Sequence, residues 1–255
     1  MKNNYTLEAT DVFKYYTQRI KGKSRFSSVK KTVKAVDGIS FELKSGEIMG
    51  VIGESGCGKS TLAKLLTNLE QPTQGKILFN GVSSEEMFKN DRLQYKRMIQ
   101  MVFQNPFDTF DPRNTIDKII DETLKLHSIG KSSDERSLIA QDAMEKVGLT
   151  PADDYLHRFP HELSGGQLQR ISILRAMLLG PKFLVADEPV SMLDVSVRAD
   201  IIKMLQDQVR NSNTALVFIS HDINTTRYIS DKIIVMYLGR IVEFGKTDSV
   251  LHNPA

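Results

Sequence analysis

Two stretches of this 255-residue chain carry residue types that could do phosphate chemistry. The first is Gly53-Glu54-Ser55-Gly56-Cys57-Gly58-Lys59-Ser60-Thr61, which fits the spacing G-x-x-x-x-G-K-[ST]. Glycines there let the backbone fold back, so that successive N–H groups point at one anion. A helix starting just after the loop would add the partial positive charge of its N-terminus. Lys59 can then reach β- and γ-phosphates, and the Ser60 hydroxyl can ligate Mg²⁺. Cys57 lies inside the loop, where a small side chain is tolerated because the backbone does the binding. The second stretch is Phe183-Leu-Val-Ala-Asp187-Glu188, an apolar run ending in two carboxylates. Ligands of open α/β sheets gather at the carboxyl ends of strands. Asp187 there can hold Mg²⁺ through its water shell. Glu188, one residue on, can face a terminal phosphate and activate a water, an effect that contributes about 10²–10⁴-fold in rate.

These groups need a scaffold. Ile48-Met-Gly-Val-Ile is a short apolar run typical of a buried parallel strand, and it leads directly into the glycine-rich loop. Helical character follows over 60–68. Strands are expected over 7–13, 33–43, 75–80 and 98–103. From 111 to about 179 the spacing turns helical, through Ile116, Ile119, Ile120, Leu124 and Leu126, then Leu138, Ala143, Met144 and Val147, then a helix over 168–179. That reads as a helical insertion within an α/β domain. Strands return over 183–186 and 215–219, and 232–238 with 240–244 make a hairpin around Gly239. Strands alternating with helices argue for a mostly parallel sheet covered on both faces. Residues 18–34 are basic and serine-rich, with Arg19, Lys21, Lys23, Arg25, Lys30, Lys31 and Lys34, and read as a solvated loop or long hairpin.

Composition sets limits. Lys plus Arg (34) against Asp plus Glu (31) leaves a net charge of +3, too small for a dedicated nucleic-acid binder. A single cysteine excludes a disulfide framework and any cysteine-based metal centre within the chain. A spanning helix needs about 18 consecutive apolar residues, and the longest apolar stretch, 233–238, is far shorter. The start, Met1-Lys-Asn-Asn-Tyr5, has no apolar core of a signal peptide. The expectation is a soluble cytoplasmic protein whose membrane role, if any, runs through a partner.

A further motif identifies a family resemblance. Leu163-Ser164-Gly165-Gly166-Gln167, with the phosphate loop before it and the acidic strand end after it, resembles the signature of the ATP-binding-cassette (ABC) ATPases. Gln104 in Met101-Val-Phe-Gln-Asn resembles the family's Q-loop glutamine. Ser191-Met-Leu-Asp194 resembles the D-loop, with Met192 where alanine is usual, and His221 in Ile219-Ser-His-Asp resembles the switch histidine. The likeness runs from about residue 7 to 253. It implies a P-loop NTPase core with a mostly parallel sheet, an antiparallel β subdomain and a helical subdomain at about 111–180, within one domain over 1–255. It implies ATP and Mg²⁺ as ligands. Lys59 and the loop from Gly53 to Thr61 would grip the phosphates. Ser60, Gln104 and Asp187 would hold or surround Mg²⁺, Glu188 would activate water, and His221 would contact the γ-phosphate. Ser164, Gly165, Gly166 and Gln167 open a helix and make a second anion nest. In the family that nest completes the ATP site of an opposing subunit, and Asp194 of the D-loop is a further nucleotide-binding residue. The family stacks adenine on an aromatic residue of the first strand region, for which Tyr16 is preferred over Tyr15. An isolated histidine is more often structural than catalytic, so His127, His157, His161 and His252 are given no role.

Several stretches narrow the resemblance to the peptide/nickel importer branch and its F-type subunit: Val33-Lys-Ala-Val-Asp-Gly-Ile-Ser-Phe, Phe103-Gln-Asn-Pro-Phe, Phe110-Asp-Pro-Arg-Asn-Thr-Ile and Leu193-Asp-Val-Ser-Val-Arg. That branch implies a different second ATPase subunit, two membrane permeases, an extracellular substrate-binding protein, a seat on the cytoplasmic membrane face, and no nucleic acid. Residues 105–113 would face the permease, with Phe107 and Phe110 as apolar anchors or, in the competing reading, as packing within the helical insertion. Branch members usually continue past Asn253-Pro254, and this sequence ends at Ala255. The alternative function is a soluble cassette ATPase of a non-transport complex, such as one cleaving carbon–phosphorus bonds.

Overall fold

A computed structural model of the protein describes residues 6–21 and 28–252. In chain order the elements are β1 (Thr6–Lys21), β2 (Ser28–Lys44), β3 (Ile48–Gly53), α1 (Lys59–Leu66), β4 (Gln74–Phe79), β5 (Val82–Ser83), α2 (Ser84–Asn90), α3 (Arg92–Met98) and β6 (Ile99–Val102). Then come α4 (Ile116–Leu126), α5 (Ser133–Lys146), α6 (Asp153–Leu156), α7 (Gly165–Leu178), β7 (Phe183–Asp187), α8 (Val195–Ser212), β8 (Ala215–Ile219), α9 (Ile223–Ile229), β9 (Lys232–Tyr237), β10 (Arg240–Lys246) and α10 (Thr247–His252). No helix among the described residues is long and apolar enough to cross a membrane.

Among the described residues the strands form two sheets. A four-stranded antiparallel sheet has the order β2-β1-β4-β5, and a six-stranded sheet the order β10-β9-β3-β8-β7-β6. In the larger sheet β9, β3, β8, β7 and β6 are parallel, and β10 returns antiparallel to β9. The expected architecture is thus present. The first hairpin is longer than the apolar pattern suggests. The β1–β2 ladder runs from Thr6↔Lys44 to Lys21↔Ser28, with register shifts near Asp11, whose φ is 47°. Backbone pairing, not side-chain alternation, carries the polar end of this ladder. The basic stretch is therefore mostly strand, and 22–27 lie outside the described residues.

Burial explains the layers. Ile48, Met49 and Val51 of β3 are fully buried, each contributing about 1.5–3 kcal/mol. One core lies between the two sheets, where Leu62, Leu65 and Leu66 of α1 meet Phe79 and Phe183. A second, on the opposite face of the parallel sheet, joins Ile173, Ile201, Leu205 and Phe218. A third belongs to the helices: Ile116, Ile120 and Leu124 of α4 pack with Met144, Leu168 and Ile171. With Ile119, the α4 spacing of three, four and eight from Ile116 puts those residues on one stripe. Leu126 and Leu138, although in the same apolar pattern, point to solvent. Phe110 joins the helical core, with the Arg175 guanidinium 4.6 Å from its ring centre. Phe107 stays exposed, so the two expected anchors part ways.

Tyr95 buttresses the first core. It is 2% exposed, and its hydroxyl shares a 2.8 Å hydrogen bond with Ser84. Burial pushes its phenol up to about 12. Because the folded value exceeds the ordinary one near 10, the stabilisation is complete below pH 10 and is lost as pH rises through 12. Two pH units correspond to about 3 kcal/mol. Denaturant melts of wild type and Tyr95→Phe between pH 9 and 12 should converge, wild type losing up to that amount relative to the variant. Parallel curves would show that the phenol does not titrate with folding.

Candidate functional site

The site grows from the carboxyl ends of parallel strands. After β3 the chain turns through 54–58 and enters α1. At Gly58 φ is 109°, and a Cβ there would stand 2.0 Å from the carbonyl oxygen of Ala35 on β2. Only glycine allows the loop to pass so close in that conformation. Lys59 is nearly buried, and its ammonium donates to the carbonyl oxygens of Gly53 at 2.8 Å and Glu54 at 2.9 Å. The lysine thus closes a ring on its own loop. Cys57 is buried with its Sγ 3.9 Å from the same ammonium.

Three neighbouring strands bring the polar groups together. The Ser60 hydroxyl donates to Asp187 Oδ1 at 3.3 Å, joining the first turn of α1 to the end of β7. Burial raises the Asp187 pKa, the Ser60 hydrogen bond offsets part of this, and the Glu188 charge adds to the rise. Glu188 follows with a positive φ of 46°, and its N–H donates to Ile219 of β8 at 2.9 Å. That bend aims the carboxylate. Its Oε2 accepts from Gln104 Nε2 at 3.3 Å and lies 3.2 Å from His221 Nδ1. Gln104 lies just beyond β6, and His221 just beyond β8. Residues far apart in sequence therefore meet because β6, β7 and β8 are neighbours.

Ser55, Gly56, Gly58, Lys59, Ser60 and Thr61 line one cleft of about 900 Å³ with Gln104, Glu188 and His221. Its other side is made by 32–35 and by Leu238 and Gly239. The donors around Ser60 and Asp187 are oxygens, which suit Mg²⁺, an ion usually held by one or two carboxylates and substrate phosphates.

Ser164, Gly165, Gly166 and Gln167 lie elsewhere. The Gln167 N–H donates to Ser164 Oγ at 3.3 Å, and the Ser164 N–H donates to Gln167 Oε1 at 3.0 Å, a reciprocal cap on α7. With Met192 and Asp194 they line a separate hollow of about 280 Å³. First-turn N–H groups have no partner within their helix, so Gly165 and Gly166 can present donors to an anion.

The two tyrosines considered for the adenine contact lie on the ladder beside the cleft. Neither Tyr16 nor Tyr15 lines the cleft. Tyr16 pairs across the ladder with Val33, which does; its hydroxyl donates to Glu70, and the Lys14 ammonium sits 5.3 Å from its ring centre. The Tyr15 hydroxyl donates to Asp37. Sequence reasoning missed what surrounds Asp37. Arg240 donates to its Oδ2 at 2.8 and 2.7 Å across 203 residues, and the Asp37 N–H donates to Gly239 at 2.8 Å. The Tyr15 hydroxyl and Arg240 hold the Asp37 carboxyl below its usual range. No motif spacing signals that pair; only the side-by-side course of β2 and the 238–239 turn creates it.

Known proteins resemble this chain in sequence and fold. The ABC transporter family profile matches residues 36–191, a span containing the phosphate loop, Gln104, the Ser164 cap and Glu188. The oligopeptide transport ATP-binding protein OppF of Bacillus subtilis is 41% identical over 91% of this chain and 76% of its own length. The di/tripeptide transport ATP-binding protein DppF of Pseudomonas aeruginosa is 46% identical over 87% of this chain and 68% of its own. Among solved structures, the dimeric ATP-binding cassette MJ0796 bound to ADP and Pi is 25% identical, with a TM-score of 0.80 over 94% of this chain and 98% of that one. Fold, loop geometry and sequence agree: this chain belongs to the ABC transporter family and is an ATP-binding cassette ATPase.

Proposed function

We propose that the chain is the ATP-hydrolysing subunit of a peptide importer, working at the cytoplasmic face of the membrane. One observation carries the chemistry: the Glu188 carboxylate is held between Gln104 and His221 beside the cleft that Lys59 and Ser60 line. In this reading the loop from Gly53 to Thr61 cradles the triphosphate, and Lys59 leaves its own carbonyls for phosphate oxygens. Ser60 and Asp187, with Gln104 nearby, would hold Mg²⁺, which when bound supplies charge neutralisation of the phosphates. Glu188 takes a proton from the attacking water as the water oxygen bonds to the γ-phosphorus. The bond to the bridging oxygen breaks, leaving ADP and phosphate. His221 orients the γ-phosphate, and Gln104 positions the carboxylate and water. Tyr16, beside Val33 on the same ladder, flanks the base end.

The second nest supports a pairwise assembly. Ser164 to Gln167 and Asp194 line a hollow of their own, apart from the loop cleft. A second cassette facing this one would set each nest over the other's triphosphate. Closure would follow ATP binding and opening would follow hydrolysis, a two-state cycle that can drive a transporter. The partner is proposed to be a different ATPase subunit, as in the peptide-import branch, joined by two permeases and an extracellular binding protein. Within one domain spanning the chain, the helices of about 111–180 would act as the insertion that moves with the permease. Exposed Phe107, rather than buried Phe110, would meet it. The names of the relatives, oligopeptide and di/tripeptide transport proteins, favour peptides as cargo and transport over a soluble role.

Glu188→Gln should bind ATP with near wild-type affinity yet turn over at least about 10²-fold more slowly in the assembled complex. Near-normal turnover would remove the proton-accepting role. Ser164→Arg should leave ATP binding to the chain's own loop intact while cutting ATPase activity of the assembled pair. Loss of the chain's own binding, measured by titration calorimetry, would contradict the facing arrangement.

A further inference from the structure

The turn between β9 and β10 breaks a local rule. Tyr237 pairs with Arg240, so Leu238 and Gly239 alone make the connection, with φ of 45° and 82°. Two positive φ values are the mark of a type I′ hairpin, whose first position favours Asn, Asp or Gly. A leucine there is strained, and strain of this kind persists only where the surroundings impose it. They do so here. The Gly239 N–H donates to the Cys57 carbonyl of the phosphate loop at 2.9 Å. Its own carbonyl accepts from the Asp37 N–H at 2.8 Å, and Arg240 clasps the Asp37 carboxylate at 2.8 and 2.7 Å. A Cβ on Gly239 would stand 2.8 Å from the Lys34 carbonyl oxygen, so the turn lies directly on β2.

The strained leucine gains no core packing in return. Its side chain is 70% exposed, and it lines the phosphate-loop cleft together with Val33, itself 49% exposed. Sheet order fixes which end of the cleft this is. β3 carries the loop; β8 and β7 on one side bring His221 and Glu188, and β9 with β10 on the other side bring Leu238. The γ-phosphate chemistry and Leu238 are therefore on opposite flanks of the loop. What extends away from the γ-phosphate in a nucleoside triphosphate is the base.

We infer that Leu238 is an apolar wall against the purine base of the bound nucleotide, a specificity-determining contact held in place by the Asp37–Arg240 clasp. This rests on the ATP-binding reading above. Leucine at a position that favours asparagine is explained by a ligand that covers it.

The test uses the full chain, with MgATP and magnesium tripolyphosphate as probes by calorimetry. Tripolyphosphate keeps the phosphates and lacks the base. Leu238→Asn supplies the residue the turn prefers, so its melting temperature should match or exceed that of wild type. Its affinity for MgATP should fall about tenfold, about 1.4 kcal/mol, while tripolyphosphate binding stays unchanged. Leu238→Met should restore MgATP binding. Unchanged MgATP affinity in Leu238→Asn, or a matching loss for both probes, overturns the base contact. If wild type binds neither probe, the ATP-binding reading itself falls and the inference with it.

Discussion

The Lys59 ammonium closes the phosphate loop on itself, and the rest of the site is arranged around that ring. Its bonds to the Gly53 and Glu54 carbonyls are charge-assisted and nearly buried, the kind worth about 1.5–3 kcal/mol each. A buried cation satisfied by neutral carbonyls and a thiol is poised to exchange them for an anion. The loop around it is not free to relax. Gly58 presses against the Ala35 backbone, and Cys57 accepts the Gly239 N–H. The antiparallel sheet and the β9–β10 turn thus brace one flank, and the parallel sheet provides the other.

That second flank explains why the acidic groups converge. Asp187 and Glu188 are consecutive, yet they do different things because the backbone bends between them. Asp187 finishes β7 nearly buried and bonded to Ser60, whereas Glu188, in a left-handed conformation tied to Ile219, swings toward Gln104 and His221. The order β8-β7-β6 supplies one group from each strand end. The Ser164 nest lines another hollow, apart from the cleft at the phosphate loop.

Much of this was legible in the sequence because it is local. The spacing from Gly53 to Thr61 is a loop's own geometry, and apolar runs ending in Asp187 or preceding His221 announce buried strands whose ends face a ligand. Non-local facts were not legible. The polar half of β1 carries no alternation, and its strand exists because β2 pairs with it. Phe107 and Phe110 sit three residues apart in similar surroundings, and only packing against Arg175 and the helical core separates them. The surroundings of Tyr16 were not legible either: the Lys14 ammonium sits over its ring and its hydroxyl donates to Glu70, a residue 54 positions away. The Asp37–Arg240 clasp and the backbone of Leu238 depend on strands that approach only after folding.

A crystal structure of the chain grown with MgATP at saturating concentration tests the role of the loop most directly. The triphosphate should sit in the loop from Gly53 to Thr61, with the Lys59 ammonium moved off both carbonyls and onto phosphate oxygens. Nucleotide bound away from the loop, or a loop still closed on Lys59 with nucleotide present elsewhere, would contradict it.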